Sequence, residues 1–182
     1  MEQKPPPNRT PVKGDMGKAG AGGSLSPDAK QWDKKMRVLV CDDHTLFREG
    51  IKAILSTDPS IEIVGEAADG RQAVESALNL RPDIVVMDVS MPFMVGYEAL
   101  RRIKEVENNI KILILTMYEE EEIISLCLNA GASGYILKDA PAAQFISAIH
   151  IVYEGGSYLS PLAAKKVVDH FVGGGLSAGN QI

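Results

Sequence analysis

The chain has 182 residues, 45% of them apolar and 24% charged, with a formal net charge of −5. One domain with tails and a real core fits that length and composition, and the acidic balance excludes a nucleic-acid binder that works through bulk charge. No stretch is long and apolar enough to span a bilayer, and the first residues lack the apolar centre of a secretory signal, so a cytoplasmic protein is expected.

Residues 1–35 carry Pro5-Pro6-Pro7, many Gly and Ser, and little beyond Trp32 that could enter a core; a disordered extension is expected. Met36 to Cys41 is an apolar run ending in Asp42-Asp43 and reads as a buried strand. From His44 to about Ser56, Leu46, Phe47, Ile51, Ile54 and Leu55 recur at helical spacing, and Asp58-Pro59 stops that helix. Ile61 to Glu66 reads as a second strand, and Ala73, Val74, Ala77, Leu78 and Leu80 mark a helix that ends before Pro82. Ile84-Val85-Val86-Met87 then runs straight into Asp88. Pro92 cannot donate to a ladder, so that strand stops before it. Asp88 is expected at the sheet rim, on a rigid strand and open to solvent.

Leu100, Ile103 and Val106 give a third helix after Gly96, and Lys111 to Thr116 a fourth strand. Glu119 to Asn129 reads as a helix with four glutamates in its first turn, a favourable placement against the helix dipole, and with Gly131 at its C-cap. Gly134 to Lys138 is a fifth strand, and Pro141 opens a fifth helix through about Glu154. Residues 155–172 read as a linker with a short helix from Leu162 to Phe171, more a packing helix than a recognition element, and 173–182 as a loose tail. Cys41 and Cys127 read as small buried residues of a reducing compartment. Five strands alternating with five helices over 36–154 predict a doubly wound parallel sheet of flavodoxin-like order 2-1-3-4-5, followed by the C-terminal linker helix.

Such a sheet brings its strand ends to one rim, which here collects Asp42, Asp43, Asp88, Thr116 and Lys138. Three neighbouring carboxylates repel unless a cation joins them, and a hard, oxygen-rich site with few protein ligands suits Mg²⁺. A lysine and a hydroxyl can hold the remaining oxygens of a phosphoryl group, leaving one carboxylate as nucleophile. The chemistry that uses all five is phosphoryl transfer to an aspartate.

The set Asp42-Asp43, Asp88 with Met91-Pro92 and Gly96, Thr116, and Tyr135 with Lys138 resembles the CheY-like receiver domain of two-component response regulators, over roughly Arg37 to Glu154. Asp43-His44-Thr45-Leu46-Phe47-Arg48-Glu49-Gly50, Thr116-Met117-Tyr118, the stretch Gly131 to Asp139 and Gly156 to Pro161 are similar to its NarL/FixJ subfamily. The resemblance implies that Asp88 is the phosphoacceptor and that Asp43 binds Mg²⁺ directly. Asp42 would act largely through water, with Asp88 and the Ser90 backbone carbonyl as further ligands. Lys138 would pair with Asp88 and then with the phosphoryl group, Thr116 would donate to a phosphoryl oxygen, and Tyr135 would turn inward when Thr116 moves. Ser90 and Tyr118 would tune hydrolysis.

The implied partner is a sensor histidine kinase, with a homodimer forming on phosphorylation. The implied output is control of transcription, through a C-terminal helix-turn-helix domain that this chain does not include. The chain as given is expected to bind neither DNA nor membrane. Two positions depart from the family pattern: Phe93 stands where glycine is common, and Asp139 where many receivers have proline. An aspartyl-phosphate phosphohydrolase dependent on Mg²⁺ would usually carry a second aspartate at the position of Ser90. A flavin carrier would need a phosphate loop in place of Asp42-Asp43-His44, and a pseudo-receiver would not need the full constellation. His44, His150 and His170 show no ligand spacing and are read as non-functional.

Overall fold

The fold is taken from a computed structural model that describes residues 34–117 and 120–174, with backbone alone for 170–174. The expectations for residues 1–33, for Tyr118 and Glu119 and for the tail from 175 onward lie outside the described residues, as do those for the side chains of His170 and Phe171.

The elements run β1 (Met36–Cys41), α1 (Thr45–Leu55), β2 (Ile61–Ala67), α2 (Gly70–Leu80), β3 (Ile84–Met87), α3 (Gly96–Val106), β4 (Lys111–Thr116), α4 (Glu121–Asn129), β5 (Gly134–Leu137), α5 (Ala142–Tyr153), β6 (Tyr158–Leu159) and α6 (Pro161–Gly174). All strands pair in parallel in the order β2-β1-β3-β4-β5-β6. The predicted flavodoxin-like order stands, with one strand added at the β5 edge. A two-residue strand is too short to show a periodicity, which is why the sequence did not reveal it.

Alternation along the strands sends side chains to two separate cores. Leu39, Cys41, Val85, Met87, Ile112, Ile114 and Tyr135 meet α2, α3, α4 and the start of α6 through Ala77, Leu100, Ile103, Ile124 and Ala163. Val38, Val40, Ile84, Val86, Leu113 and Ile136 meet α1 and α5 through Ile51, Leu55, Phe145 and Ile149. Burial on both faces explains the unbroken apolar runs.

Two helix ends differ from expectation. Only Glu121 and Glu122 stand in the first turn of α4, because Glu120 is its N-cap and Glu119 lies outside the described residues. The predicted four-glutamate turn is therefore a pair. At the other end Gly131 takes φ +96 just past the Ala130 cap. Ala132 N–H then reaches Cys127 O at 3.0 Å, the closing bond of a left-handed helix end. The C-terminal helix runs from Pro161 to Gly174, longer than predicted. It packs on α4 and β6, and its Ala163 is 2% exposed.

Candidate functional site

The ladder itself assembles the rim. Asp42 N–H donates to Ala67 O at 3.0 Å, Asp88 N–H to Cys41 O at 2.9 Å and Lys138 N–H to Thr116 O at 2.9 Å, so each strand end is registered on its neighbour. The α3 start presses on the same point. Gly96 N–H bonds Val89 O at 2.8 Å, and a Cβ on Gly96 would overlap the Asp88 carbonyl. Only glycine lets the helix approach this closely.

Asp42, Asp43, Asp88 and Lys138 come together as predicted. Lys138 Nζ lies 2.8 Å from Asp88 Oδ2, a hydrogen bond, and 2.6 Å from Asp42 Oδ2, an ion pair off hydrogen-bond alignment. Asp88 is only 3% exposed, which corrects the expectation that it opens to solvent. Met91 and Met94, which follow it, are buried as well, in the core shared with α2 and α3. Burial lifts the Asp88 carboxyl above its ordinary value, against the lowering pull of Lys138. Burial also pulls the Lys138 ammonium down, but the Asp42 and Asp88 carboxylates outweigh it and hold it above its usual value.

The Lys138 ammonium meets two of the three carboxylates, and the oxygens are unevenly served. Asp42 Oδ1 accepts His44 N–H at 2.8 Å, and Asp88 Oδ1 accepts Ser90 N–H at 3.3 Å. Asp42 Oδ2, though 2.6 Å from Lys138 Nζ, and Asp43 Oδ1, 3.0 Å from His44 Nδ1, are buried without an aligned hydrogen-bond donor. Three clustered carboxylates against one ammonium leave buried negative charge that is costly unless a further cation meets it. Ligand atoms of Asp42, Asp43, His44 and Asp88 all lie within 4.8 Å of one another, close enough to share a single ion. The donor set, rich in carboxylate oxygen, fits a small hard divalent cation.

Thr116 ends β4, fully buried, on the same face of the sheet as Tyr135. Tyr135 is also fully buried, in the α4-side core with Ile114 and Ile124. The resemblance has this aromatic turning inward; here it already stands inside. Ser90 is exposed beside the site, and Tyr118 lies outside the described residues.

Three residues escaped the sequence reading. His44, read as non-functional, sets Nδ1 3.0 Å from Asp43 Oδ1 and 3.4 Å from Asp42 Oδ1. Its adjacency to the two aspartates was the available signal. Arg48 braces the loop by donating to Asp42 O at 2.7 Å while pairing with Glu66. The Phe47 ring faces the Lys138 ammonium, 4.5 Å from centroid to Nζ. Phe93, the family departure, takes φ +64, a left-handed conformation that explains why glycine suits the position.

Comparison with known proteins gives one family. The response regulator receiver domain matches residues 38–150. The chain is 36% identical over 139 residues to the transcriptional regulatory protein DegU of Brevibacillus brevis, covering 76% of this chain and 59% of that protein. It is 42% identical over 138 residues to the oxygen regulatory protein NreC of Staphylococcus carnosus, covering 75% of this chain and 64% of that protein. The chain thus spans about three fifths of the length of these relatives. A crystal structure of a LuxR-family two-component response regulator from Aurantimonas sp. aligns with a TM-score of 0.73 at 34% identity, over 76% of this chain and 99% of that one.

Proposed function

This chain belongs to the response regulator receiver domain family, and on that premise we propose that it takes a phosphoryl group onto Asp88 and changes conformation in response. The observation that carries the reading is the buried Asp88 carboxylate held 2.8 Å from Lys138 beside two further aspartates.

An Asp88 carboxylate oxygen attacks the phosphorus of a phosphohistidine on a sensor histidine kinase, or of a small acyl phosphate. The bond from phosphorus to Asp88 forms as the bond to the donor breaks, and the leaving imidazole or carboxylate takes the electron pair. Lys138 holds a phosphoryl oxygen through the transfer, and the Thr116 hydroxyl donates to another once the group is in place. Magnesium, held by Asp43, Asp88, Asp42 and the Ser90 backbone carbonyl, would neutralise charge on the phosphoryl oxygens when bound. Ser90, beside the site, and Tyr118 set the lifetime of the acyl phosphate.

The chain acts as a signalling switch, with turnover limited to its own phosphorylation and dephosphorylation. An apolar groove of about 460 Å³ beside the site, with Leu46 88% and Met117 69% exposed, supports a protein as donor. Tyr135, on the same face of the sheet as Thr116 on the neighbouring strand, carries the change outward, and homodimerisation follows phosphorylation. Residues 36–154 form the receiver and 155–172 pass the change on. The output is transcription, exerted in a form that carries a DNA-binding domain, in the cytoplasm.

Acetyl phosphate with magnesium tests this. Wild type should gain one hydroxylamine-labile phosphoryl group, chelation should abolish it, and Asp88→Asn should take none. Undiminished labelling of Asp88→Asn sinks the proposal.

A further inference from the structure

We propose that Phe47 is a positioning residue for Lys138: its ring closes the outer side of the ammonium and holds it against Asp42 and Asp88. The inference rests on the reading of Asp88 as phosphoacceptor.

Lys138 Nζ is held from two directions. Asp42 Oδ2 and Asp88 Oδ2 stand 2.6 and 2.8 Å away on the rim side. The Phe47 ring, delivered by α1, lies 4.5 Å from the same nitrogen. The lysine side chain is left 5% exposed although the apolar groove opens beside it, with Phe47 and Lys138 both on the groove wall. Leu115, Leu137 and Phe145 line a gap of about 30 Å³ that both residues also border, so the ring is seated among apolar neighbours.

An ammonium has three N–H donors, and this one faces only two carboxylate partners. Water in the groove would be the ordinary third partner, and it would draw the lysine outward. An aromatic face attracts the charge without offering a directional acceptor. It therefore keeps water off the ammonium while leaving it able to pivot. Pivoting matters for transfer. Once Asp88 is esterified its charge sits on the phosphoryl oxygens, and Lys138 must follow that charge outward. A ring face permits this with no hydrogen bond to break. A leucine at the same position fills much of the space but supplies no attraction.

The experiment compares wild type, Phe47→Leu and Phe47→Tyr in labelling by acetyl phosphate with magnesium, alongside the NMR position of the Lys138 Hε protons. Phe47→Leu should label about tenfold more slowly at saturating donor, with the half-saturating donor concentration changed by less than about twofold. Phe47→Tyr should recover most of the rate. The Lys138 Hε resonances should be shifted upfield by the ring in wild type and Phe47→Tyr, and lose that shift in Phe47→Leu. A well-dispersed Phe47→Leu spectrum with wild-type labelling overturns the inference, as does an absent ring shift in wild type. If wild type takes no label at all, the phosphoacceptor reading fails, and the ring shift still decides the Phe47–Lys138 contact by itself.

Discussion

At the ends of β1 and β3 three carboxylates crowd together, two of them on one ammonium, and two of their oxygens lie buried without an aligned hydrogen-bond donor. At the β5 edge the contacts are of another kind. Ser160 N–H donates to Tyr135 O at 3.0 Å, Tyr158 and Leu159 pair with Gly134 and Tyr135, and Ala163 sinks into the core that holds Tyr135 and Ile124. The acidic end carries unbalanced charge that a cation and a phosphoryl group can change. The edge is held by backbone ladder and apolar packing, which respond to shape. Lys138 joins the two, since it follows β5 in sequence and meets Asp88 in space. The contrast teaches that chemistry and response can be broken separately.

The largest effect is expected at the joint. Lys138→Ala strands Asp42 and Asp88 without their ammonium and should cost about 3 kcal/mol at neutral pH, typical of a broken buried pair. Urea unfolding should show it, and the deficit should shrink in acid as Asp88, whose carboxyl burial already raises, takes up its proton. A cost unchanged by pH would mean that packing, not charge, was lost.

The edge should yield next. Ala163→Glu places a charge where the side chain is 2% exposed and should cost about 2 kcal/mol by denaturant unfolding. Labelling of Asp88 should survive in the folded fraction. Loss of labelling there would deny that the two regions are separable.

Magnesium should stabilise wild type by about 1.5 kcal/mol at roughly tenfold excess over its Kd. Asp43→Asn should lose that increment, seen as a melting temperature that no longer depends on magnesium. A retained increment would move the site away from Asp43.

Acid titration gives the smallest effect, and a sign that differs between two carboxyls. Burial raises Asp88 above 3.8, so the native state holds its proton longer than the unfolded one. Its contribution to stability falls as pH climbs from 3.8 through the raised folded value. Asp58, held down to about 2 by Ser60 and by His150 at 2.7 Å, works the other way. Its contribution is present above 3.8 and is lost as pH falls toward 2. Urea midpoints between these limits should therefore lose a falling component in Asp88→Asn and a rising one in Asp58→Asn. Parallel curves for the two variants would remove the distinction.

The same contrast governs what could be read beforehand. β1, β3 and β4 are apolar runs because both faces are covered, and each ends in a group with evident chemistry; Asp42, Asp88 and Thr116 were legible for that reason. The depth of Asp88 was not, because it is closed in by partners such as Lys138, 50 residues away, which periodicity does not describe. β6 left no pattern in two residues, and the place of α6 against α4 depends on that strand. His44 stands beside its aspartates in the sequence, but Phe47 meets Lys138 only because the fold brings them together.

Hydrogen exchange, read peptide by peptide with and without acetyl phosphate and magnesium, tests the central claim most directly. Wild type should change protection in β4, α4, β5, β6 and α6 while β2 and α2 stay as they were, and Asp88→Asn should show no donor-dependent change anywhere. Equal changes in Asp88→Asn, or changes spread evenly over the domain, would contradict an account in which charge at Asp88 drives the β5 edge.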